Sequence, residues 1–299
     1  MIALNRQFQM SDSAGFQTSA NSRISRSALA RERADWARAA LANCQLCAHH
    51  CGVNRLAGEI GLCHAGAETR FFSAQTEVAD ELELIPTFAI ALGGCDLRCD
   101  FCITGRESWN ARSGQTLSVS ALAEQAVAAL ENGARTVIIL GGEPTIHLPA
   151  ALEIAAALPD DAKLIWKTNA HGSAQARELL DGIFDVWLAD FKFGNDACAQ
   201  RLAKIANYTD VIRENLLWAG EHSELIVRHL LMPGHVECCW KPIANWLGEN
   251  LADVKVSLRS AFWPAWHSAR HSELRGTISK IENERAQEIA RDCELKLIH

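Results

Sequence analysis

From residue 86 onwards, apolar runs alternate with helical patterns, and this alternation constrains the fold more than any other feature. Six runs are strand candidates: Thr87–Leu92, Thr136–Leu140, Lys163–Lys167, Val186–Phe191, Leu225–Leu230 and Val254–Leu258. The helical patterns between them are Val119–Asn132, Leu148–Leu158, Ser173–Asp181, Asp196–Ile205 and Lys241–Glu249. A charged helix at Ile278–Asp292 and a short strand at Leu295–Ile298 follow. Strands that alternate with helices form βαβ units, so we predict an α/β fold with a parallel sheet.

The composition is that of a globular protein and excludes several other classes. Of the 299 residues, 48% are hydrophobic and 22% are charged, which argues against pervasive disorder. No apolar run approaches the roughly 18–20 residues that a membrane-spanning helix needs. The net charge of −7 gives no general reason to bind nucleic acid or an anionic membrane. We therefore predict neither a nucleic-acid nor a membrane partner.

The 11 cysteines bear on the compartment and on the domain organisation. The first 35 residues lack the apolar segment of a signal peptide, and clustered cysteines without export signals are typical of metal ligands in a reducing cytosol. We predict a cytoplasmic protein with three parts. These are a flexible tail over residues 1–34, a cysteine-rich metal-binding module over 35–83, and an α/β domain over 84–299. Helical character already begins at Ser27, inside the predicted tail.

The motif with the most specific spacing is Cys95-Asp-Leu-Arg-Cys99-Asp-Phe-Cys102, which follows the first predicted strand. Three thiolates on one loop can converge on one metal centre. They are one short of the four cysteines that usually hold a [4Fe–4S] cluster, so one iron would remain open to another ligand. A structural zinc ion would lack an obvious fourth ligand here, because such sites take a closed set of four.

A second group of cysteines lies near the N-terminus. Cys44, Cys47 and Cys51 are followed, after eleven residues, by Cys63. Four thiolates can close either a zinc site or a second [4Fe–4S] cluster. A cluster could relay electrons, whereas zinc would hold together a module too small to build its own core. The spacing predicts a bound metal and leaves its type open.

The other four cysteines, Cys198, Cys238, Cys239 and Cys293, have no grouping in the sequence. We interpret them as core or surface thiols, which is the usual role of free cysteine. Cys238 and Cys239 follow His235 on the candidate active-site face of the domain.

The spacing of Cys95, Cys99 and Cys102, with Phe101 before the last cysteine, resembles that of the radical S-adenosylmethionine (SAM) superfamily. Gly141-Gly142-Glu143, at the end of the second strand, resembles the motif that holds the amino group of SAM in that superfamily. Within it, the chain is similar to the pyruvate formate-lyase activating enzyme and to uncharacterised relatives with an N-terminal cysteine module. Further similar segments are Arg106–Asn110, Lys167–Asn169, Asp190–Lys192, Val227–His235 and Phe262–Pro264.

This resemblance implies an incomplete (β/α)6 barrel with a small N-terminal metal-binding module. It implies that Cys95, Cys99 and Cys102 hold a catalytic [4Fe–4S] cluster, with SAM on the open iron. Reductive cleavage of SAM would then yield methionine and a 5′-deoxyadenosyl radical, which abstracts hydrogen from the substrate. Asp190 and Lys192 would contact the carboxylate and ribose of SAM. The full set of implied SAM-binding residues is Phe101, Gly141, Gly142, Glu143, Thr168, Asn169, Asp190, Lys192 and Arg228.

The resemblance also bears on substrate and partners. We predict a protein or peptide substrate, converted to a glycyl radical or modified at a residue, and a soluble electron donor such as flavodoxin or ferredoxin. The sequence departs from the activating enzymes at Ile103, where they have histidine, and at Lys167, where they have aspartate. The alternatives are a radical SAM enzyme that acts on a small molecule in a biosynthetic pathway, and a non-catalytic iron–sulfur sensor or electron-transfer protein.

Overall fold

A single sheet organises the molecule. The structure, a computed structural model, describes residues 24–79 and 81–298. Within these ranges the strands are β1 (Arg70–Glu77), β2 (Thr87–Leu92), β3 (Gln115–Thr116), β4 (Thr136–Gly141), β5 (Leu164–Thr168), β6 (Val186–Asp190), β7 (Glu224–Leu230), β8 (Lys255–Arg259) and β9 (Lys296–Ile298). They pair in the order β3-β1-β2-β4-β5-β6-β7-β8-β9. The strands from β2 to β9 in this order run parallel, while β1 pairs antiparallel with β2 and β3.

The six strands predicted from apolar runs are all present, each within one residue of the expected ends. This confirms the α/β class and the parallel sheet. The strand order runs from β3 at one edge to β9 at the other without pairing the two edges. The described strands therefore form an open sheet rather than a complete barrel.

Helices connect the strands and cover the sheet. They are α1 (Arg26–Ala40), α2 (Arg106–Trp109), α3 (Val119–Glu131), α4 (Leu148–Ala157), α5 (Ala174–Leu180), α6 (Asp196–Ala203), α7 (Tyr208–His222), α8 (Lys241–Asn250) and α9 (Lys280–Asp292). One π-helical turn, Val236–Trp240, precedes α8. The sequence patterns missed α7, although its buried Ile212, Leu216 and Ala219 lie at helical spacing. Across the described ranges, no helix is long and apolar enough to cross a membrane.

Both faces of the central strands β2, β4, β5 and β6 are buried, which explains why these strands read as continuous apolar runs. On β4, Val137 and Ile139 pack into the larger core, together with side chains from the helices. Ile138, between them, belongs to a smaller core with Ala89 and Ile165. Successive side chains of a strand point to opposite faces, so the two cores lie on opposite sides of the sheet.

The N-terminal part of the described chain packs against the α/β domain. Helix α1 buries Ala30, Ala34 and Ala37 on one face, and it contacts α4. The structure therefore corrects the predicted flexible tail at residues 26–34, which are helical because small apolar residues recur there at helical spacing. Residues 1–23 of that predicted tail lie outside the described residues.

The carboxyl ends of β2, β4, β5, β6 and β7 lie along one edge of the sheet, because these neighbouring strands are parallel. Parallel α/β folds place their chemistry in the loops beyond these strand ends. The site residues predicted from the sequence for the α/β domain lie in these loops or at the strand ends. The fold thus brings together residues that are far apart in the chain.

Candidate active site and cysteine groups

The loop after β2, residues 95–102, is here called the cluster loop. Cys95 and Cys99 are buried, and Cys102 is partly exposed. The backbone amides of Arg98 and Asp100 donate hydrogen bonds of 3.1 and 2.8 Å to carbonyl groups at the end of α6. These two hydrogen bonds fix the middle of the cluster loop against the end of α6. The three thiols lie at the carboxyl edge of the sheet.

The chemistry of these thiols suits a multi-iron cluster, and their spacing is wider than that of a single zinc site. In the described residues, no group of three His, Cys, Asp or Glu ligand atoms within 4.8 Å of one another includes the three cysteines. Sulfur ligands of one tetrahedral zinc ion would lie only about 3.8 Å apart, given Zn–S bonds of about 2.3 Å. Burial raises the pKa of Cys99 to about 12 and that of Cys95 well above its usual value. Thiols of this kind ionise when a metal centre compensates their charge.

Glycine backbone brings the loop after β4 into direct contact with the cluster loop. A Cβ atom on Gly142 would lie 1.8 Å from the carbonyl oxygen of Gly94, and one on Gly141 would lie 2.1 Å from that of Leu92. The amide of Glu143 donates to the Gly94 carbonyl over 2.9 Å. Both predicted glycines are thus required for this close approach, since any side chain would separate the two loops.

The Glu143 side chain is buried and is held by hydrogen bonds from nearby residues. Its Oε1 accepts hydrogen bonds from the hydroxyls of Thr145 and Thr168 over 2.6 and 2.8 Å. Its Oε2 accepts from the amide of Asn169 over 2.7 Å. Burial, together with the nearby Asp96 carboxylate, raises the pKa of Glu143 to about 7 despite these bonds. A carboxylate oxygen has two lone pairs, so Oε2 can still accept from a cationic ligand.

A buried network beside Cys95 was missed by the sequence analysis. The Asp96 carboxylate accepts from Asn169 Nδ2 over 2.7 Å and pairs with His171 Nδ1 over 2.7 Å. Burial opposes its ionisation, but the hydrogen bonds from His171 and Asn169 hold the pKa of Asp96 below its usual range. His49 Nε2, from the N-terminal module, lies 3.0 Å from the Asp96 carbonyl oxygen. The network connects the cluster loop to the loop after β5 and to the N-terminal module.

Charged residues stand side by side where β6 and β7 end. Lys192 Nζ lies 2.5 Å from Asp190 Oδ2, and Asp190 is opposite Arg228 in the strand register. Arg228 Nε lies 3.6 Å from a carboxylate oxygen of the buried Glu81. Burial opposes both charges of the first pair, but their attraction raises the pKa of Lys192 and lowers that of Asp190. Both groups are therefore charged at neutral pH.

Phe101, a predicted cofactor-binding residue, is buried in an aromatic cluster. Its ring meets that of Phe193 edge-on at a centroid distance of 5.9 Å and that of Phe262 at 6.4 Å. It thereby joins the cluster loop to the segments that follow β6 and β8. These ring contacts stabilise the cluster loop.

The N-terminal cysteine group, Cys44, Cys47, Cys51 and Cys63, lines one pocket that opens to solvent. Three of its thiols are buried, and Cys51 is exposed. The buried Arg55 also lines this pocket, with Nη1 3.7 Å from Cys44 Sγ. Among the described residues, no three of these sulfur atoms belong to a ligand group within 4.8 Å. The structure therefore gathers the four predicted ligands around a common space, at a spacing wider than one zinc ion needs.

Known proteins share parts of this sequence. A family model described as Radical SAM superfamily matches residues 90–247, more than half of the chain. An uncharacterized protein of Methanocaldococcus jannaschii is 30% identical over 266 residues, which cover 86% of this chain and 77% of that protein. The 7-carboxy-7-deazaguanine synthase of Prochlorococcus marinus is 42% identical over 60 residues, which cover 20% of this chain and 26% of that enzyme.

Two solved structures of SuiB from Streptococcus suis share the fold. The one bound to S-adenosylmethionine has a TM-score of 0.53 at 17% identity, and the one bound to the precursor peptide SuiA has a TM-score of 0.51 at 18% identity. Each comparison covers 68% of this chain, and this chain spans about half of the SuiB chain, 47% and 46%. The family match over residues 90–247 includes the cluster loop and every strand end from β2 to β7 described above. The chain belongs to the radical SAM superfamily.

Proposed function

We propose that this radical SAM enzyme acts on a protein or peptide, which it converts to a glycyl radical or modifies at a residue. The observation that carries the radical chemistry is the position of three thiols at the sheet edge where four further strands end, and exposed apolar side chains beside them carry the choice of a polypeptide substrate. Superfamily membership implies a [4Fe–4S] cluster and SAM. When bound, these cofactors supply an electron transfer that cleaves SAM to methionine and a 5′-deoxyadenosyl radical able to take hydrogen from a substrate.

The chain's own residues would hold and orient these cofactors. Cys95, Cys99 and Cys102 are the proposed cluster ligands, and three thiolates leave one iron of four open. The charged Lys192 and Asp190 complement a zwitterionic ligand, since an ammonium attracts a carboxylate and a carboxylate accepts from hydroxyl or ammonium groups. The further proposed wall of the SAM pocket consists of Phe101, Gly141, Gly142, Glu143, Thr168, Asn169 and Arg228.

Exposed apolar side chains beside the cluster loop support a polypeptide substrate. Ile103, which follows Cys102 directly, is 77% exposed, and Trp263 is 70% exposed. Trp266, 42% exposed, lies against Gly105, where a Cβ atom would be 2.7 Å from its ring. Large apolar groups that stay exposed near a site are typical of surfaces that bind another macromolecule. The fold is also shared by SuiB, which has been solved with a precursor peptide bound.

The second candidate is a small-molecule substrate in a biosynthetic pathway. The 60-residue similarity to 7-carboxy-7-deazaguanine synthase favours this alternative. The third is a non-catalytic iron–sulfur sensor or electron-transfer protein, which would hold a cluster without cleaving SAM.

For the N-terminal cysteine group we propose a second [4Fe–4S] cluster rather than zinc. The wide spacing of its sulfur atoms around a common pocket supports this choice. His49, two residues after Cys47, contacts the carbonyl of Asp96, which is next to Cys95. This contact offers a short route between the two groups, along which an electron from a soluble donor such as flavodoxin or ferredoxin could pass.

Anaerobic reconstitution tests the radical chemistry. Iron and 5′-deoxyadenosine are measured with SAM and dithionite for the wild type and for a variant with Cys95, Cys99 and Cys102 replaced by alanine. Cys293→Ser is the matched control, because this half-buried thiol lies outside every proposed ligand group. We expect nucleoside from the wild type and the control, and only background from the triple variant. A cluster-loaded wild type that never cleaves SAM, with or without cell extract, would support the sensor alternative instead.

The substrate class is tested by separating a cell extract into a macromolecular and a low-molecular-weight fraction. We expect the macromolecular fraction to stimulate 5′-deoxyadenosine formation and protease treatment to abolish that stimulation. Ile103→Asp should weaken it, whereas Ile281→Asp, at a 78% exposed position on α9, should not. Stimulation by the low-molecular-weight fraction alone would overturn the polypeptide proposal.

A further inference from the structure

Four side chains that the sequence analysis left ungrouped meet beyond the ends of β6 and β7. Cys198 lies on α6, and His235, Cys238 and Cys239 lie in and before the π-helical turn after β7. Their ligand atoms all lie within 4.8 Å of one another. We call them the four-ligand group.

Four of the six distances between these ligand atoms can be compared directly with the edges of a tetrahedral site. Cys238 Sγ lies 3.9 Å from Cys198 Sγ and 3.9 Å from Cys239 Sγ. His235 Nδ1 lies 3.4 Å from Cys238 Sγ and 3.4 Å from Cys239 Sγ. With Zn–S bonds of about 2.3 Å and Zn–N bonds of about 2.0 Å, a tetrahedral site has edges of about 3.8 Å between sulfurs and about 3.5 Å from nitrogen to sulfur. The observed distances match these edges, and they are too short for a four-iron cluster to stand between the thiols.

The far side of the His235 ring faces a guanidinium and a carboxylate. Its Nε2 lies 3.2 Å from Arg201 Nη2 and 3.7 Å from the Glu273 carboxylate. A metal-binding histidine commonly donates its second ring N–H to a carboxylate, which leaves the other nitrogen free as a ligand. Nδ1 faces the three thiols, and a metal there would put the ring proton on Nε2. Glu273 is the nearby acceptor for that proton, and the Arg201 guanidinium, which is a donor only, would turn away from Nε2. The ring is 3% exposed, so this orientation is held by packing.

Asn195 supports the thiols from the opposite side. Its Nδ2 lies 3.4 Å from Cys198 Sγ and donates to the Cys238 carbonyl over 2.6 Å. Its Oδ1 accepts from the Cys198 amide over 2.8 Å, which caps the start of α6. Amide donors beside thiolates stabilise their negative charge, and three thiolates around a dication need such donors. One side chain thus positions two of the four ligands.

We propose that Cys198, His235, Cys238 and Cys239 bind one zinc-type divalent ion at a closed Cys₃His site. Four protein ligands leave no open position, so the ion is structural rather than catalytic. It clamps the loop after β6 to the loop after β7. A Cβ atom on Gly194 would lie 2.2 Å from the Cys239 carbonyl oxygen, so the clamp acts next to the segment that carries Asp190 and Lys192. The ion would therefore be a positioning element for the SAM pocket.

Zinc and iron counts on the full-length, anaerobically reconstituted protein test this proposal. We expect one zinc per chain in the wild type, and at most about a tenth of that in Cys198→Ser and Cys238→Ser, with iron content unchanged. Cys238 is exposed, so its replacement by serine should not disturb the core. Cys293→Ser is the matched control and should keep its zinc. X-ray absorption at the zinc edge should show three sulfur ligands and one nitrogen ligand.

Glu273→Gln tests the role of the carboxylate behind His235. We expect zinc to bind about 10- to 100-fold more weakly to it, measured by competition with a chelator, because supporting residues of this kind commonly contribute that much affinity. Each of the following outcomes would overturn the proposal. They are no zinc in wild type offered excess zinc, full zinc in both Cys198→Ser and Cys238→Ser, and a Cys198–Cys238 disulfide in protein purified anaerobically. Zinc lost only when the N-terminal cysteines are replaced would likewise assign it to that group instead.

Discussion

The N-terminal cysteine group and the four-ligand group each have four potential ligands, and they differ in almost every other respect. The first lies within residues 44–63, surrounds a pocket open to solvent, and has no three sulfur atoms within 4.8 Å of one another. The second is drawn from residues 198–239 and fits within 4.8 Å. The difference teaches that the number of ligands does not decide which metal a site holds. The distances between the ligand atoms decide it, because the thiolates around a four-iron cluster lie farther apart than those around one zinc ion.

The largest expected effect comes from removing one ligand of the N-terminal group. Cys51→Ser should lower iron from about eight towards about four atoms per chain, because each [4Fe–4S] cluster carries four irons and the iron left open here, unlike that of the cluster loop, has no SAM to occupy it. Cys51 is exposed, so the fold should tolerate the change. Iron and zinc are both counted by elemental analysis. A loss of zinc with iron unchanged would reverse the assignment and make the N-terminal group the zinc site.

A smaller effect is expected on the stability of the protein in acid, and it comes from a buried histidine close to the four-ligand group. His229 stacks on Trp240, and burial lowers its pKa to about 4. Between about pH 6.5 and about pH 4 the unfolded chain binds a proton that the folded chain does not, so the free energy of unfolding falls as the pH falls. By about pH 5 this loss amounts to about 2 kcal/mol. In urea titrations at about pH 7.5 and about pH 5, His229→Gln should lose about 2 kcal/mol less than the wild type.

The control for this experiment is His222→Gln, at an exposed position at the end of α7. It should show the same acid dependence as the wild type. If His229→Gln does so too, burial of this imidazole does not contribute to acid lability. His147, whose pKa burial also lowers to about 4, would continue to destabilise both proteins in acid.

The smallest expected effect distinguishes a metal-bound Cys51 from a free Cys51 thiol. A Cβ atom on Gly61 would lie 2.6 Å from Cys51 Sγ, whereas one on Gly66 would have no neighbour within 4 Å. A free, exposed thiol can rotate away at little cost, so Gly61→Ala should change the stability of metal-free protein by less than about 1 kcal/mol. A thiolate fixed on a cluster cannot move, so the same variant should retain several-fold less iron after exposure to a chelator. Gly66→Ala should behave as the wild type in both measurements, and equal iron retention in the two variants would argue against Cys51 as a ligand.

Local patterns predicted the framework well. Each of the six predicted strands lies within one residue of its expected ends, because a strand buried on both faces is visible as an apolar run. The glycines of Gly141-Gly142-Glu143 stand where the two loops touch, as their residue type suggests. The predicted tail was wrong at residues 26–34, where the spacing of three alanines outweighs the polar composition.

The network around Asp96 could not be predicted in the same way. Asp96 lies inside the motif with the most specific spacing, but its partners Asn169 and His171 follow a different strand. The Glu143 side chain, which is predicted to contact SAM, also accepts hydrogen bonds from Thr145 and Thr168, and these bonds hold it in place. These contacts depend on which strands are neighbours and in which register, and no local pattern records that.

The sequence by itself determined the α/β class, the spacing of the cluster loop and the N-terminal cysteine group, because apolar runs and ligand spacing are properties of short segments. Only the tertiary structure decided that Cys198 meets His235, Cys238 and Cys239. The physical reason is that β6 and β7 are adjacent and parallel, so the loops beyond their carboxyl ends lie side by side. Ligands from two such loops can form one narrow site although some 40 residues of chain separate them.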